Sequence, residues 1–141
     1  MKNKYLIRPV RISSDAQFLY DLLLERNPNV NISHKKMPTF SSHLKFLQSK
    51  PYKKWYIICT KENTNVNKKI GSIYLSKTNE IGIFIKKEFQ GDNIGKFALD
   101  EIIKKTKQKR YLANVNPKNK KSIRFFKNNG FKLVQYTFEK N

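Results

Sequence analysis

A glycine-containing turn between a strand-like run and a helix-like run is the feature that most constrains this chain. The turn reads Gln90-Gly91-Asp92-Asn93-Ile94-Gly95, with a β pattern at residues 80–85 before it and a helical pattern at 94–107 after it. Backbone N–H groups in such a turn point inward, and the start of the following helix adds a partial positive charge. The sequence therefore predicts a site for a phosphorylated ligand at this turn.

Length and composition favour one globular domain over residues 1–141. Apolar residues make up 38% and aromatic residues 13% of the chain, which suits a packed core. The sequence has no apolar run long enough for a membrane span and no apolar signal-peptide core, so we expect a cytoplasmic protein without a membrane partner. The single cysteine, Cys59, lies in an apolar run and is expected to be a buried strand residue.

The formal charge of +20 raises the question of a nucleic-acid partner. Lysine accounts for 25 of the 30 basic residues, whereas bidentate recognition of bases and phosphates favours arginine. The sequence also lacks an arginine-rich stripe and an aromatic stacking platform, so nucleic-acid binding is not indicated. The positive field would instead concentrate a polyanionic ligand such as a nucleotide cofactor. Two isolated histidines and scattered acids indicate no metal site.

Hydrophobic periodicity predicts a mixed α/β domain with the element order β-α-α-β-β-β-α-β-α-β. A strand at 4–11 is followed by a capping box at Ser14 and Gln17 that opens a helix running to Arg26. Residues 27–37 read as a loop, and Thr39 caps a second helix that ends before Pro51. The remaining predicted elements are strands at 55–60, 70–76 and 80–85, a helix at 94–107, a strand at 111–115, a helix from Pro117 through Phe126, and a strand at 131–138.

Two phrases of the chain resemble motifs of one enzyme family. Residues 83–95 are similar to the acyl-CoA-binding motif of GNAT-type N-acetyltransferases, in which a strand leads through Gln or Arg and a glycine-spaced turn into a helix. Residues 119–131 are similar to the family's signature of Asn, a small residue, an aliphatic residue, an aromatic residue and Gly-Phe. The order of elements also fits. The resemblance covers nearly the whole chain and implies the GNAT fold, a mostly antiparallel sheet flanked by helices.

The resemblance implies acetyl-CoA as co-substrate. The pyrophosphate would lie on the amides of residues 91–96 and on the helix start, and the pantetheine arm would pair with the backbone of Ile83, Phe84 and Ile85. The strand at 111–115 would splay away to make room. The amide of Phe84 or Ile85 would polarise the thioester carbonyl. The expected cofactor-binding residues are Ile83, Phe84, Ile85, Gln90, Gly91, Asp92, Asn93, Ile94, Gly95, Lys96, Asn119 and Phe126.

The chain departs from the family pattern at three positions. Asn93 replaces a common glycine, but asparagine tolerates a left-handed backbone better than other side chains do. Asp92 places a negative charge near the expected phosphate. Phe126 stands where many members have a tyrosine that protonates the leaving thiolate. Water, Tyr111 or Tyr136 would have to supply that proton.

The catalytic expectations rest on two titratable residues and one backbone amide. Glu80 resembles the position of a catalytic carboxylate in some members, the alternative being a solvated residue at a hairpin end. His34 lies in the loop that borders the acceptor pocket in this fold, the alternative being a surface residue. The amide of Phe84 completes the set. His43 is expected to be structural.

The leading functional prediction is an N-acetyltransferase that moves the acetyl group of acetyl-CoA to a primary amine by direct attack. Residues 27–54 weakly resemble members that act on nucleotide-linked amino sugars, so such a sugar is the first acceptor candidate. A protein N-terminal amine comes next, and small amines follow. The competing class is a non-catalytic module that binds acyl-CoA or RNA, and a salt-steep RNA affinity would distinguish it.

Overall fold

A four-stranded antiparallel sheet organises the chain. The computed structural model describes residues 4–26, 37–61, 67–91 and 93–141. Neighbouring strands are hydrogen-bonded in the order β1-β2-β3-β4, and each pair is antiparallel. The strands are β1 at Tyr5–Pro9, β2 at Lys54–Thr60, β3 at Lys69–Leu75 and β4 at Ile81–Ile85.

Four α-helices lie in the described part of the chain. A short 3-10 turn at Lys87–Phe89 separates β4 from the third helix. None of the described helices is long and apolar enough to cross a bilayer. The predicted element order holds through the third helix, and the mixed α/β class is confirmed. The helices are α1 at Ile12–Leu24, α2 at Phe40–Gln48, α3 at Ile94–Thr106 and α4 at Lys120–Asn128.

The sheet buries both of its faces, because side chains alternate between the faces along each strand. In β2, Ile58 joins the cluster formed with α3, whereas Ile57 and Cys59 join the cluster formed with α1 and α2. Cys59 is therefore a core residue, as predicted, and burial raises the pKa of its thiol.

The start of α1 differs from the predicted capping box. The helix begins at Ile12, and Ser14 lies inside it instead of capping it. Asp15 is fully buried and makes the decisive contacts. Its carboxylate accepts two bonds of 2.8 Å from the Arg8 guanidinium and one of 2.7 Å from the Arg11 amide, and the Lys69 ammonium lies 2.8 Å away. The position of Asp15 depends on Arg8 of β1 and Lys69 of β3, and a local sequence motif does not reveal these partners.

The buried Asp15 carboxylate stays ionised. Burial by itself would raise the pKa of Asp15, but the hydrogen bonds from Arg8, Lys69 and the Arg11 amide outweigh it and hold that pKa well below its usual range. Because Arg8 belongs to β1 and Lys69 to β3, the carboxylate fastens α1 to two strands of the sheet.

Two predicted strands do not form within the described structure. The segment at 111–115 makes a single parallel bridge, between Leu112 and Glu80. The segment at 131–138 has no strand partner among the described residues. Alternating apolar residues show that a segment can form a β-strand, but a strand also needs a neighbouring strand with an unpaired edge.

We predict that Asp15→Asn lowers the free energy of unfolding by about 3 kcal/mol at pH 7, because Arg8 and Lys69 lose their counter-charge. Urea unfolding would measure the loss. Asp21→Asn is the matched control, since that carboxylate is exposed and bonded to Gln17 at 2.9 Å. The control should change stability by less than about 0.5 kcal/mol.

The stabilisation by Asp15 should depend on pH with a defined sign. A carboxyl whose pKa is lowered by folding stabilises the native state fully above its unfolded pKa of about 4 and loses that effect as the pH falls below it. The stability gap between wild type and Asp15→Asn should therefore narrow on acidification from pH 7 to pH 3. A gap that stays constant over this range would contradict the assigned ion pairs.

Candidate active site

Part of the outer edge of β4 has no main-chain partner among the described residues. The amide of Lys86, just past β4, donates to the carbonyl of Ile70 at 2.9 Å. Bonding directions alternate along an antiparallel ladder, so the main chain of Phe84 also faces β3. The N–H groups of Ile83 and Ile85 therefore point away from β3, to the free edge.

The segment at 111–115 contacts β4 only at the start of that strand. The Ile81 amide donates to the Leu112 carbonyl at 2.7 Å, and the Leu112 amide donates to the Asn79 carbonyl at 2.9 Å. No backbone bond joins the described residues 113–115 to β4 beyond that point. The backbone bonds of this segment to β4 thus end at Leu112, which leaves room for an extended ligand to pair with the edge beyond it.

This register distinguishes the two amides that we considered for polarising a thioester carbonyl. The Phe84 amide is directed at Ser72 of β3, whereas the Ile85 amide lies on the free edge. The structure therefore favours Ile85 over Phe84 for that role. The sequence alone does not distinguish the two amides, because the pairing register of β3 and β4 decides which of them faces β3.

The start of α3 and the described residues of the turn before it form a candidate anion cradle. Gly91 and Asn93 have φ values of 97° and 61°, so asparagine does accept the left-handed conformation here. Asn93 also precedes α3 as its N-cap and makes no side-chain capping bond. The first amides of a helix lack an intrahelical acceptor, so those of Ile94, Gly95 and Lys96 are available to a ligand. Asp92 lies outside the described residues.

Side chains around the turn hold it against β4 and α4. Gln90 donates from Nε2 to the Ile85 carbonyl at 3.0 Å, which closes the end of β4. A Cβ at Gly95 would lie 3.1 Å from the Phe125 ring, so glycine permits the close approach of α3 to α4. Lys96 pairs with Asp100 at 3.0 Å on the exposed face of α3, one turn from the cradle.

Asn119 and Phe126, both expected near the cofactor, have structural contacts in α4. The Asn119 side chain caps the helix, accepting from the Ser122 amide at 3.2 Å and donating to the Ser122 hydroxyl at 3.0 Å. The Phe126 ring packs edge-on against Phe125 and Phe131, each at 5.1 Å between centroids. These contacts lie within α4 and the residues that follow it, and cofactor contact by Asn119 or Phe126 stays a prediction.

The Glu80 carboxylate is held by three side-chain donors. Thr78 donates at 2.8 Å and Ser76 at 3.2 Å to one oxygen, and Asn114 donates to the other. Hydrogen bonds, that of Thr78 first, lower the pKa of Glu80. The carboxylate thereby links the segment at 111–115 to the β3–β4 turn, and its lowered pKa makes it a weak base.

Of the two histidines, only His43 lies within the described residues. His34 lies outside the described residues. His43 is buried on α2 with its ring 5.3 Å from that of Tyr20, which agrees with the structural role predicted for it. Among the described residues, no three side chains of the metal-binding types come together.

A group of aromatic rings and one arginine, which sequence reasoning missed, covers the other face of β4. Arg26 lies 4.1 Å from the Phe84 ring centroid, and Tyr74 stacks on Tyr52 at 3.7 Å. The Tyr74 ring crosses Gly82, where a Cβ would come within 2.2 Å of it. We call Arg26, Tyr52, Tyr74 and Phe84 the Arg26 cluster.

The Arg26 cluster lies on the side of α1 and α2. Ile83 and its odd-numbered neighbours in β4 pack toward α3, so Phe84 faces the opposite way. Burial lowers the pKa of Arg26. The adjacent Glu25 accepts a 3.0 Å bond from the Lys87 amide, which fixes the end of α1 against the turn after β4. The position of Arg26 depends on this tertiary contact, so helical periodicity alone gives no signal for it.

Comparison with known proteins places these features in a wider group. Residues 16–131 match the model of the family described as the acetyltransferase (GNAT) family. A domain from Methanocaldococcus jannaschii DSM 2661 is 27% identical, with a TM-score of 0.81 over 98% of this chain and 94% of that one. The spermidine N-acetyltransferase from Vibrio cholerae, solved with CoA and spermine, is 18% identical, with a TM-score of 0.77 over 99% and 87% of the two chains. No curated protein sequence matches this chain at a significant level.

We predict that Asn93→Val weakens acetyl-CoA binding by about tenfold, because a left-handed backbone costs a residue with a Cβ about 1–2 kcal/mol and most of all a β-branched one. Asn93→Gly should bind as wild type does, since glycine adopts this conformation freely. Calorimetric titration of both folded variants would measure the difference. Equal affinities would show that the left-handed turn does not form the ligand site.

Proposed function

The chain belongs to the acetyltransferase (GNAT) family, and we propose that it transfers an acetyl group to the primary amine of a small acceptor. Acetyl-CoA is the co-substrate. The observation that carries the proposal is the free edge of β4 next to a helix start without a side-chain cap. These two features provide main-chain donors for an extended arm and for phosphate oxygens, which are the two parts that acetyl-CoA presents.

The chain contributes mainly position and polarisation. Bound acetyl-CoA supplies an activated acetyl group. The amides at the start of α3 hold its phosphates, and the free edge at Ile83 and Ile85 aligns its arm. We assign the Ile85 amide to the carbonyl oxygen of the thioester, where a fixed donor stabilises the negative charge that develops during attack. Alignment of the amine with that carbonyl supplies the rest of the rate enhancement.

Two protons have to move during the reaction, one from the attacking amine and one to the leaving thiolate of CoA. Glu80 is a weak base, so we assign it to positioning the segment at 111–115 and assign the amine proton to His34 or water. Phe126 has no proton for the thiolate. The Tyr111 hydroxyl already contacts the Thr106 hydroxyl and the Gln108 amide, both at 2.8 Å. We therefore assign protonation of the thiolate to water.

We predict that Glu80→Gln reduces kcat/KM by less than about tenfold and leaves the acidic limb of the pH–rate profile in place, because the amide oxygen still accepts from Thr78. A general base contributes about a hundredfold or more. A loss of that size, together with a vanished acidic limb, would identify Glu80 as the base. Thermal unfolding of the variant would separate a catalytic from a structural loss.

The Arg26 cluster supports an acceptor that carries a negative charge. The positive charge of its guanidinium disfavours a polyamine and favours a phosphate-bearing acceptor over it. The Tyr52 and Tyr74 rings stack on each other and pack beside that guanidinium. We therefore propose a nucleotide-linked amino sugar as acceptor, ahead of a protein N-terminal amine and of small amines. Because both substrates are cytoplasmic metabolites, we propose that the reaction takes place there.

Free-thiol release from acetyl-CoA would test the acceptor with a nucleotide-linked amino sugar, spermidine and a peptide amine. We predict transfer to the sugar, and Arg26→Gln should raise its KM by about tenfold, the value of one charge-assisted hydrogen bond. The KM for acetyl-CoA should not change. Arg110→Gln is the control, since Arg110 is exposed and lies outside the Arg26 cluster. Faster transfer to spermidine, increased further by Arg26→Gln, would overturn this acceptor.

A further inference from the structure

The tip of the Tyr74 side chain lies over β4, on the face of the sheet that α1 and α2 cover. Tyr74 of β3 stands directly opposite Gly82 of β4 in the ladder. A Cβ built on Gly82 would meet Cε2, Cζ and the hydroxyl oxygen of Tyr74, the oxygen at 2.5 Å. The ring therefore reaches across the gap between the two strands, and the glycine makes room for its hydroxyl.

Aromatic neighbours hold the Tyr74 ring in this place. The Tyr52 ring stacks on it, with centroids 3.7 Å apart and an angle of 4° between the planes. Tyr52 in turn packs edge-on against Trp55 of β2 at 4.7 Å and against Phe46 of α2 at 5.8 Å. A ring fixed by such packing keeps its hydroxyl in one position, which a contact with a reacting group requires.

The two phenols keep their protons at neutral pH. Burial raises the pKa of both Tyr52 and Tyr74, and the two hydroxyl groups interact with each other. Tyr74 is only partly buried, as is Gly82 beneath it. A neutral phenol oxygen has lone pairs as well as a proton, so the Tyr74 oxygen can accept a hydrogen bond from a ligand on this face.

An amine has to reach the thioester from this same face. A thioester whose carbonyl bonds to the Ile85 amide lies with its plane along the sheet, because the hydrogen bonds of a sheet run within it. A nucleophile approaches a carbonyl carbon from above or below its plane. The side of α3 is filled by core packing that includes Ile83 and Ile85. The amine therefore arrives on the side of Phe84 and Tyr74.

The described side chains around Phe84 offer few acceptors to that amine. The Arg26 guanidinium can only donate hydrogen bonds. The Ser72 side chain lies on this face but is fully buried. The Glu80 carboxylate already accepts from three side chains. The Tyr74 oxygen remains as an acceptor that lies over β4 and has capacity for one more bond.

We propose that the Tyr74 hydroxyl oxygen accepts a hydrogen bond from the amine that attacks acetyl-CoA, and that Tyr52 positions this oxygen. The role rests on the acetyl transfer proposed above. The amine nitrogen bonds to the thioester carbon, the carbon–sulfur bond breaks, and the amine proton leaves to His34 or water, while Tyr74 keeps its own proton. Because the nitrogen gains positive charge during attack, its N–H donates more strongly in the transition state than in the bound substrate.

Steady-state kinetics of free-thiol release test this role, with whichever of the three amines named above the wild type acetylates. Tyr74→Phe keeps the ring over Gly82 and removes only the hydroxyl. We expect kcat to fall about tenfold, since the lost bond is to a group that becomes charged. The KM for acetyl-CoA should not change. Tyr5→Phe is the matched control, because that ring packs on Phe97 on the opposite face, and it should leave kcat unchanged.

A double-variant cycle tests the part assigned to Tyr52. Tyr52→Phe should lower kcat by a smaller factor than Tyr74→Phe does. Adding it to Tyr74→Phe should cause no further loss, because Tyr52 acts only through the Tyr74 hydroxyl. Urea unfolding of each variant provides the structural readout. A ring that merely covers a strand glycine would keep kcat in Tyr74→Phe, since the ring itself is retained.

The outcomes distinguish this role from the proposed function. A kcat of Tyr74→Phe equal to that of Tyr5→Phe would overturn the role of Tyr74 and leave the acetyl transfer intact. Losses that add in the double variant would overturn the positioning by Tyr52. Absence of transfer by the wild type to all three amines would overturn the proposed function and this role together.

Discussion

The alternation of main-chain hydrogen bonds along β4 is the constraint on which the candidate site depends. Pairing with β3 uses every second residue, so the Phe84 main chain bonds to β3, while the amides of Ile83 and Ile85 face away from it and bond to no described residue. The same alternation directs the Ile83 and Ile85 side chains to α3 and the Phe84 ring to the other face. A single strand thereby directs its amides to the ligand edge, its odd-numbered side chains to the core and the Phe84 ring to the Arg26 cluster.

The buried carboxylate of Asp15 connects this strand to the acceptor side. Its contacts with Arg8 and Lys69 fasten the start of α1 to the sheet, and Glu25 fastens its end to the Lys87 amide. The helix is thus fixed at both ends, which holds Arg26 over β4. A buried ion pair is costly to desolvate, and here it defines the position of a helix that borders the site.

The sequence predicted those features that depend on local chemistry. Three such features were predicted because neighbouring residues in the sequence determine them. They are the turn around Gly91 and Asn93, the burial of Cys59 and the helix N-cap at Thr39. Features that depend on residues distant in the sequence were not predicted. In the sequence Asp15 looks like part of a capping box, whereas in the structure it pairs with Arg8 and Lys69.

Two further features have the same physical origin. The segment at 131–138 alternates like a strand, but its sequence does not show whether a strand edge is available to it. Glu80 as a base stays a prediction that rests on a resemblance, and only the folded hairpin shows the three donors on its carboxylate. Amide hydrogen exchange, measured by NMR with and without acetyl-CoA, would test whether the outer edge of β4 binds the ligand. We expect acetyl-CoA to slow exchange at Ile83 and Ile85, while Phe84 exchanges slowly in both states. Unchanged exchange at Ile83 and Ile85 would contradict the assignment of this edge to the ligand.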